Sequence, residues 1–204
     1  MNKAWDALAD DQTINKTIEA LKQNGIASLV VENGEKAKEK ILELLPKGEE
    51  VMSMSSVTLD SITISKEINE SGNYDAIKPK LMKMDRKTQG TEMQKMGSAP
   101  RWTVGSVHAV TQDGKVLIAS NTGSQLSAYS YASTHVIWVV GTQKIVENLD
   151  EGIKRIYEYV LPIEDEKMKK LYNVGSNVSK LLIVNKEIVP GRVMIIFVKE
   201  KLGY

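Results

Sequence analysis

Three polar turns in this sequence have the residue types and the spacing to bind an anion. The most distinctive turn, Ser120 to Gln125, follows the apolar strand segment 116–119 and precedes a predicted helix from Ser124 to Tyr131. Such a turn offers backbone N–H groups and the positive end of a helix dipole, and a glycine lets a ligand approach the backbone closely. The alternative is that these residues only cap the helix and form a turn. The candidate ligand-binding residues are Asn121, Thr122, Gly123, Ser124 and Gln125.

Two further turns have the same position after predicted strands. Ser56 and Thr58 follow the strand segment 51–54, and Gln143 and Lys144 follow the strand segment 135–140. In an open α/β sheet, ligands bind outside the carboxyl ends of the strands, so the turn with Ser56 and Thr58 is expected to face one crevice with the turn 120–125. The hydroxyls suit phosphate, carboxylate or sugar oxygens, and the lysine would neutralise an anion that the glutamine orients. Helix capping and an exposed turn are the respective structural alternatives.

Acid–base chemistry has two candidate residues, and the catalytic residues remain unknown. His108 follows Gly105 and Ser106, which are also candidate ligand-binding residues, and a histidine titrates near neutral pH. Glu164 follows a proline and is interpreted either as part of an acidic helix N-terminus or as a catalytic carboxylate. A serine triad is poorly supported because the sequence has no G-x-S-x-G elbow. His135 is interpreted as structural, and Arg155 as a surface cation.

Several classes of site and protein are disfavoured by the composition. The chain has no cysteine, so it supplies no disulfide, no cysteine nucleophile and no thiolate for an iron–sulfur cluster. Metal-ligand patterns and the glycine-rich phosphate motifs are absent, so neither a metal nor another cofactor is predicted. A net charge of +1 predicts no nucleic-acid binding, although the basic, Met-rich segment Lys78–Arg101 predicts a mobile flap or a partner surface.

The chain contains neither a secretory signal nor an apolar run long enough to span a membrane, which predicts a cytoplasmic protein. Its 204 residues predict one domain over 1–204. Strand and helix segments alternate in the first half, which predicts an α/β fold with a mainly parallel sheet and helices on both faces. The second half adds two predicted hairpins, one joining 104–111 to 115–119 and one joining 181–184 to 193–198. Helices are predicted from Ser55 to Asn69 and from Leu149 to Leu161.

The sequence resembles the LutC/YkgG family, the lactate-utilisation or LUD domain, over nearly its whole length. The most specific stretches are Gly105–Thr111, Ala119–Leu126, Val136–Val146 and Arg155–Pro162, with Ser55–Leu59, Ser176–Leu182 and Pro190–Arg192 also fitting. The resemblance implies a fold related to glucosamine-6-phosphate isomerase, ribose-5-phosphate isomerase and the CoA transferases (NagB/RpiA-like). It also implies a role in oxidation of lactate to pyruvate, in which partner subunits carry iron–sulfur clusters.

Three hypotheses follow for the function. In the leading one, the chain is a component of a lactate or other 2-hydroxy-acid utilisation system and binds a small anionic organic molecule while iron–sulfur partner subunits carry electrons. In the second, it is a stand-alone enzyme acting on a sugar phosphate, a CoA ester or a folate-like substrate. In the third, it is a ligand-sensing or structural subunit that docks through Lys78–Arg101. A homo-oligomer is compatible with each.

Overall fold

A computed structural model describes residues 5–204 of the chain. The helices are α1 (Asp11–Gln23), α2 (Gly34–Leu44), α3 (Val57–Ser61), α4 (Ile64–Glu70), α5 (Ile77–Met82), α6 (Arg86–Ser98), α7 (Leu149–Arg155) and α8 (Leu161–Tyr172). The strands are β1 (Ala27–Val31), β2 (Glu50–Ser53), β3 (Asp75–Ala76), β4 (Trp102–Gly105), β5 (Ala109–Thr111), β6 (Val116–Ser120), β7 (His135–Gly141), β8 (Ile145–Val146), β9 (Lys180–Val184) and β10 (Val193–Val198). Two π-helical segments, Ala128–Ala132 and Ile156–Val160, and a 3₁₀ turn, Thr142–Lys144, complete the regular structure.

The main sheet has six parallel strands in the order β1-β10-β7-β4-β2-β3. Successive side chains of its central strand β7 point to opposite faces. Trp138 and Val140 enter one apolar cluster with the second sheet and α1, whereas Ile137 and Val139 enter another with α2, α3 and α4. Because both faces of β7 are covered by packed side chains, its sequence is apolar without interruption. The fold class predicted from the sequence is confirmed.

The second sheet has four strands in the order β8-β5-β6-β9. β5 and β6 are antiparallel, with Val110 opposite Val116, as the Asp113-Gly114 turn between them predicts. Ile118 of β6 packs in the same cluster as Trp138 of β7, so the small sheet covers one face of the main sheet. In the part of the chain that the structure describes, no helix is long and apolar enough to cross a membrane.

Both hairpin predictions need correction. The segment 104–105 belongs to β4 of the main sheet, because the chain turns through 106–108 before it enters β5. The predicted hairpin of 181–184 with 193–198 is wrong: β9 pairs with β6, whereas β10 lies between β1 and β7 in the main sheet. β10 is apolar along its whole length. The main sheet buries both faces of this strand, which stabilises it more than a position at the edge of the small sheet would.

Two helix predictions also change. The predicted helix 55–69 is divided into α3 and α4 at Thr63, which adopts a left-handed φ of 57°. The predicted helix 149–161 continues to Tyr172, because α7, the π-helical segment and α8 follow one another without a break in helical backbone conformation. Pro162 has no N–H and donates no hydrogen bond in this helix. The N–H of Leu161 donates to the Ile156 carbonyl, five residues earlier, and this π-type bond widens the helix locally. Glu164 therefore does not lie at a free helix N-terminus.

The edges of the fold are more exposed than its centre. α1 begins after Asp10, whose carboxylate accepts the Thr13 N–H and caps the helix. β1 is an edge strand and is partly exposed. The basic Met-rich segment forms α5 and α6, and α6 has no buried residue and is kinked at Gln89. This exposure leaves both the flap and the partner-surface interpretations as predictions.

Candidate functional site

Three of the predicted site residues meet at the carboxyl ends of neighbouring parallel strands. Thr58 follows β2, Ser106 follows β4, and Lys144 follows β7. The Lys144 Nζ donates to Thr58 Oγ1 at 3.0 Å and to Ser106 Oγ at 3.1 Å. Its third partner is the carbonyl oxygen of Val107, also at 3.1 Å. The three side chains therefore meet at one edge of the parallel sheet, where open α/β sheets bind their ligands.

Lys144 is a buried basic residue without an acidic partner. The residue is 2% exposed, and no carboxylate of residues 5–204 lies within 4.0 Å of its amine. Burial, together with the charge of Arg155, lowers the pKa of Lys144 from its ordinary 10.5 to about 7. At neutral pH this side chain is therefore poised between an ammonium ion and a free amine.

Arg155 adds a second uncompensated cation. It was expected at the surface, but it is completely buried, and its Nη1 donates to the His108 carbonyl at 2.6 Å. Its guanidinium lies 5.2 Å from the centre of the Tyr159 ring, and its Nε has no hydrogen-bond partner in the described part of the chain. Burial lowers its pKa to about 10, so it remains charged at neutral pH. Gly152, three residues earlier on the same face of α7, is buried as well.

His108 is a neutral neighbour of these cations. Its Nδ1 accepts the N–H of Ala119 at 3.1 Å, which assigns the ring hydrogen to Nε2. Burial, and then the charges of Lys144 and Arg155, lower its pKa to about 3. An imidazole with this pKa does not exchange a proton near neutral pH, which disfavours the acid–base role. Nε2–H remains a hydrogen-bond donor on a side chain that is partly exposed.

The segment 202–204 crosses the same group and was not found from the sequence. The Leu202 carbonyl accepts the Thr58 hydroxyl at 3.2 Å and the Gln143 amide at 2.9 Å. Gly203, at φ 62°, packs so closely that a Cβ would lie 2.5 Å from Thr58 Oγ1. Gln143 is thus joined to the site through Leu202, although its own Oε1 is buried without a partner in the described residues. These contacts use backbone atoms, which leave no pattern in a sequence.

Glu164 lies in a separate cluster. Its carboxylate forms an ion pair with Lys167 at 2.6 Å and accepts a hydrogen bond from the Tyr204 hydroxyl. Burial and the neighbouring Glu164 raise the pKa of Tyr204 to about 12. Within residues 5–204, Glu164 forms no hydrogen bond or ion pair with Thr58, Ser106 or Lys144. It is connected to them only along the segment 202–204.

The loop 120–125 satisfies much of its own hydrogen bonding. Ser120 Oγ accepts the Gly123 N–H at 2.8 Å and donates to Gln125 Oε1, while the Ser124 N–H points to Thr122 Oγ1 at 3.3 Å. Asn121 accepts from Ser179 at 3.0 Å. The helical backbone starts only at residue 126 and changes to π-helix at 128. An anion here would displace these internal bonds. Anion binding by the loop therefore stays a prediction, with less support than anion binding by the group of Thr58, Ser106 and Lys144.

The remaining residues singled out in the sequence are Gly105, Ser56 and His135, and they differ in their distance from the site. Gly105 lies against Tyr129, where a Cβ would be 1.7 Å from the hydroxyl oxygen, so only glycine fits there without movement. Ser56 precedes α3 but makes no side-chain capping bond, and it is partly buried. His135 lies at the opposite end of β7 and stacks on Trp102 with ring centres 4.1 Å apart. It is therefore not part of this group.

These features define an α/β protein in which cationic and hydroxyl side chains meet at the carboxyl ends of a parallel sheet. The chain belongs to the LUD domain family, whose model matches residues 14–198. Membership suggests involvement in lactate utilisation. A search of curated proteins found no match.

Two solved structures are similar to this chain to different degrees. The crystal structure of a DUF162 family protein from Deinococcus radiodurans superimposes with a TM-score of 0.60 at 12% identity, covering 94% of this chain and 99% of that one. The similarity supports the fold. eIF2B beta from Chaetomium thermophilum gives a TM-score of 0.33 at 15% identity, covering 71% of this chain and 44% of that one, which is too low a score to indicate a shared fold.

Proposed function

We propose that the Lys144 site binds a small organic carboxylate, a 2-hydroxy or 2-oxo acid, and that the chain serves as a cytoplasmic component of a lactate-utilisation system. The observation that carries this proposal is the pair of buried basic side chains, Lys144 and Arg155, with no acidic partner within 4.0 Å among residues 5–204. Leaving a buried charge uncompensated is energetically costly. A carboxylate ligand offsets that cost.

The uncharged groups of the site suit the rest of such a ligand. Ser106 and His108 are both partly exposed, whereas Lys144 behind them is buried. The Nε2–H of His108 is a neutral donor for a carboxylate or carbonyl oxygen. The Ser106 hydroxyl lies 3.1 Å from the lysine amine and can donate to or accept from a 2-hydroxyl group. A few placed polar groups of this kind are typical of sites for small ligands.

Electron transfer is assigned to partner subunits. The chain contains no cysteine and therefore contributes no thiolate ligand to an iron–sulfur cluster. A system that oxidises a 2-hydroxy acid must pass two electrons onward, and the groups found at the Lys144 site carry none. We therefore propose that this chain supplies the acid-binding site and that iron–sulfur proteins accept the electrons.

The carboxylate requirement is tested by comparing each acid with its amide. We expect lactate and pyruvate to raise the melting temperature of the protein at millimolar concentration, and lactamide and pyruvamide to have no effect, since only the acids carry a negative charge. Thermal unfolding in the presence of each compound at pH 7 provides the measurement. Sodium chloride at equal ionic strength is the control. Equal stabilisation by acids and amides, or none by any compound, contradicts the proposal.

A further inference from the structure

We infer that Lys144 is a nucleophile that condenses with the carbonyl carbon of a 2-oxo acid to form an imine; the inference rests on the proposed function. It concerns the 2-oxo members of the ligand class only, because a 2-hydroxy acid has no carbonyl group next to its carboxylate. It assigns to Lys144 a covalent step beyond the attraction of a negative charge.

The partners of the Lys144 amine differ from those of the ion-paired lysines in the structure. Lys36 and Lys199, for example, form ion pairs with carboxylates, which raise the pKa of each lysine and hold it as an unreactive ammonium. The Lys144 amine instead contacts two hydroxyls and one carbonyl oxygen at 3.0–3.1 Å. These neutral partners orient the nitrogen without fixing its charge.

The second cation favours the uncharged amine. Lys144 and Arg155 donate to consecutive carbonyl oxygens, those of Val107 and His108, so the two positive groups approach the same short segment. Desolvation and a neighbouring cation are the two conditions that make a lysine amine nucleophilic near neutral pH. With a pKa of about 7, a large fraction of Lys144 is unprotonated at that pH.

The Lys144 amine lies one hydrogen bond away from a partly exposed residue. Lys144 itself is almost fully buried, but Ser106 is partly exposed and its Oγ lies 3.1 Å from Nζ. A 2-oxo acid that replaces the Ser106 contact brings its carbonyl carbon to the nitrogen. Its carboxylate then faces the positive field of Arg155 and the Nε2–H of His108.

The condensation is balanced without any oxidant or reductant. The nitrogen lone pair of the neutral amine forms a bond to the carbonyl carbon, and the carbonyl π electrons move to oxygen, which takes a proton to give a carbinolamine. The hydroxyl group then leaves with a second proton as water. The nitrogen has lost both hydrogens, so the amine and the ketone have become a C=N bond and one water molecule.

Trapping by reduction tests the inference. The full chain is incubated with pyruvate and sodium borohydride, and its mass is measured before and after proteolysis. We expect one adduct, with the mass of pyruvate less one oxygen, located on Lys144. Excess lactate should suppress the labelling by competing for the site. Lys144→Arg, which keeps the positive charge but has no primary amine, should reduce labelling at least about tenfold. The exposed Lys66→Arg serves as the matched control and should label as the wild type does.

The possible failures of the two proposals are distinguishable. If lactate and pyruvate bind in calorimetry but no adduct forms on Lys144, the imine is wrong and the proposed binding function stands. Labelling spread equally over surface lysines, or unchanged in Lys144→Arg, also overturns the imine. If neither acid binds and no adduct forms, both proposals fail. Because the adduct is located on the wild-type protein by peptide mapping, the result does not depend on how well the variant folds.

Discussion

The free energy of unfolding of the wild-type protein should rise by roughly 2–3 kcal/mol more between pH 7 and pH 9 than that of Lys144→Met. The folded-state pKa of Lys144 is about 7, below its ordinary 10.5. Between these two values the unfolded chain binds a proton that the folded chain does not, so raising the pH favours folding. Methionine has no titrating group, so Lys144→Met lacks this increase of stability with pH. Urea unfolding at pH 7, 8 and 9 measures the difference.

Comparing slopes separates the titration from other consequences of the substitution. Lys144→Met also leaves the Val107 carbonyl without its hydrogen bond, but this loss changes the stability by a similar amount at every pH. Lys66→Met, at an exposed position, should follow the wild-type pH profile. Parallel profiles for wild type and Lys144→Met would show that the lysine is not desolvated as the structure indicates.

Replacing Arg192 with methionine should lower the free energy of unfolding by about 3–5 kcal/mol. Its guanidinium pairs with Glu187 at 2.5 Å, and both side chains are less than one-tenth exposed, at 8% and 7%. It also donates to the carbonyls of Ser133 and Tyr129 at the end of a π-helical segment. The substitution leaves Glu187 as a buried charge and leaves two carbonyls without partners. Thermal unfolding should show a decrease of roughly 6–20 °C.

Two further variants show whether the uncompensated carboxylate causes this loss. Adding Glu187→Leu to Arg192→Met should recover part of the stability, because no buried charge then remains. Lys201→Met breaks an ion pair with Asp6 whose side chains are about half exposed, and it should leave the free energy of unfolding nearly unchanged. A loss in Arg192→Met no larger than that in Lys201→Met would contradict the prediction.

The sequence named Thr58, Ser106 and Lys144 as candidate residues but did not predict that they meet. Thr58 and Lys144 were expected after strands, whereas Ser106 was expected within the strand 104–111. Because β4 ends at Gly105, all three follow strands of the parallel sheet, and such strands place their carboxyl ends at one edge. The alternation of strands and helices predicted the main sheet and the class of fold.

What the sequence did not predict depends on non-local packing. The charge of Arg155 suggested a surface position, but its place on the buried face of α7 decided the outcome. β10 follows a turn signal that suggested a hairpin, whereas its partners, β1 and β7, are distant in the chain. Leu202 joins the site through its carbonyl oxygen, which every residue has. Side-chain types carry no information about such contacts.

The most direct test of the central claim, that Lys144 binds the carboxylate of lactate as an ammonium ion, is the number of protons taken up when lactate binds. At pH 8, about nine-tenths of the free Lys144 is neutral for a pKa of about 7. The other charged group facing it is Arg155, and the neighbouring His108 stays neutral. Lactate has no carbonyl group beside its carboxylate, so imine formation does not contribute.

Calorimetry in buffers of different ionisation enthalpy measures this proton uptake. We predict an uptake approaching about one proton per lactate at pH 8, an affinity that weakens as the pH rises above 7, and neither effect in Lys144→Met. Lactate binding without proton uptake, or with the same affinity in Lys144→Met, would contradict the assignment of this site.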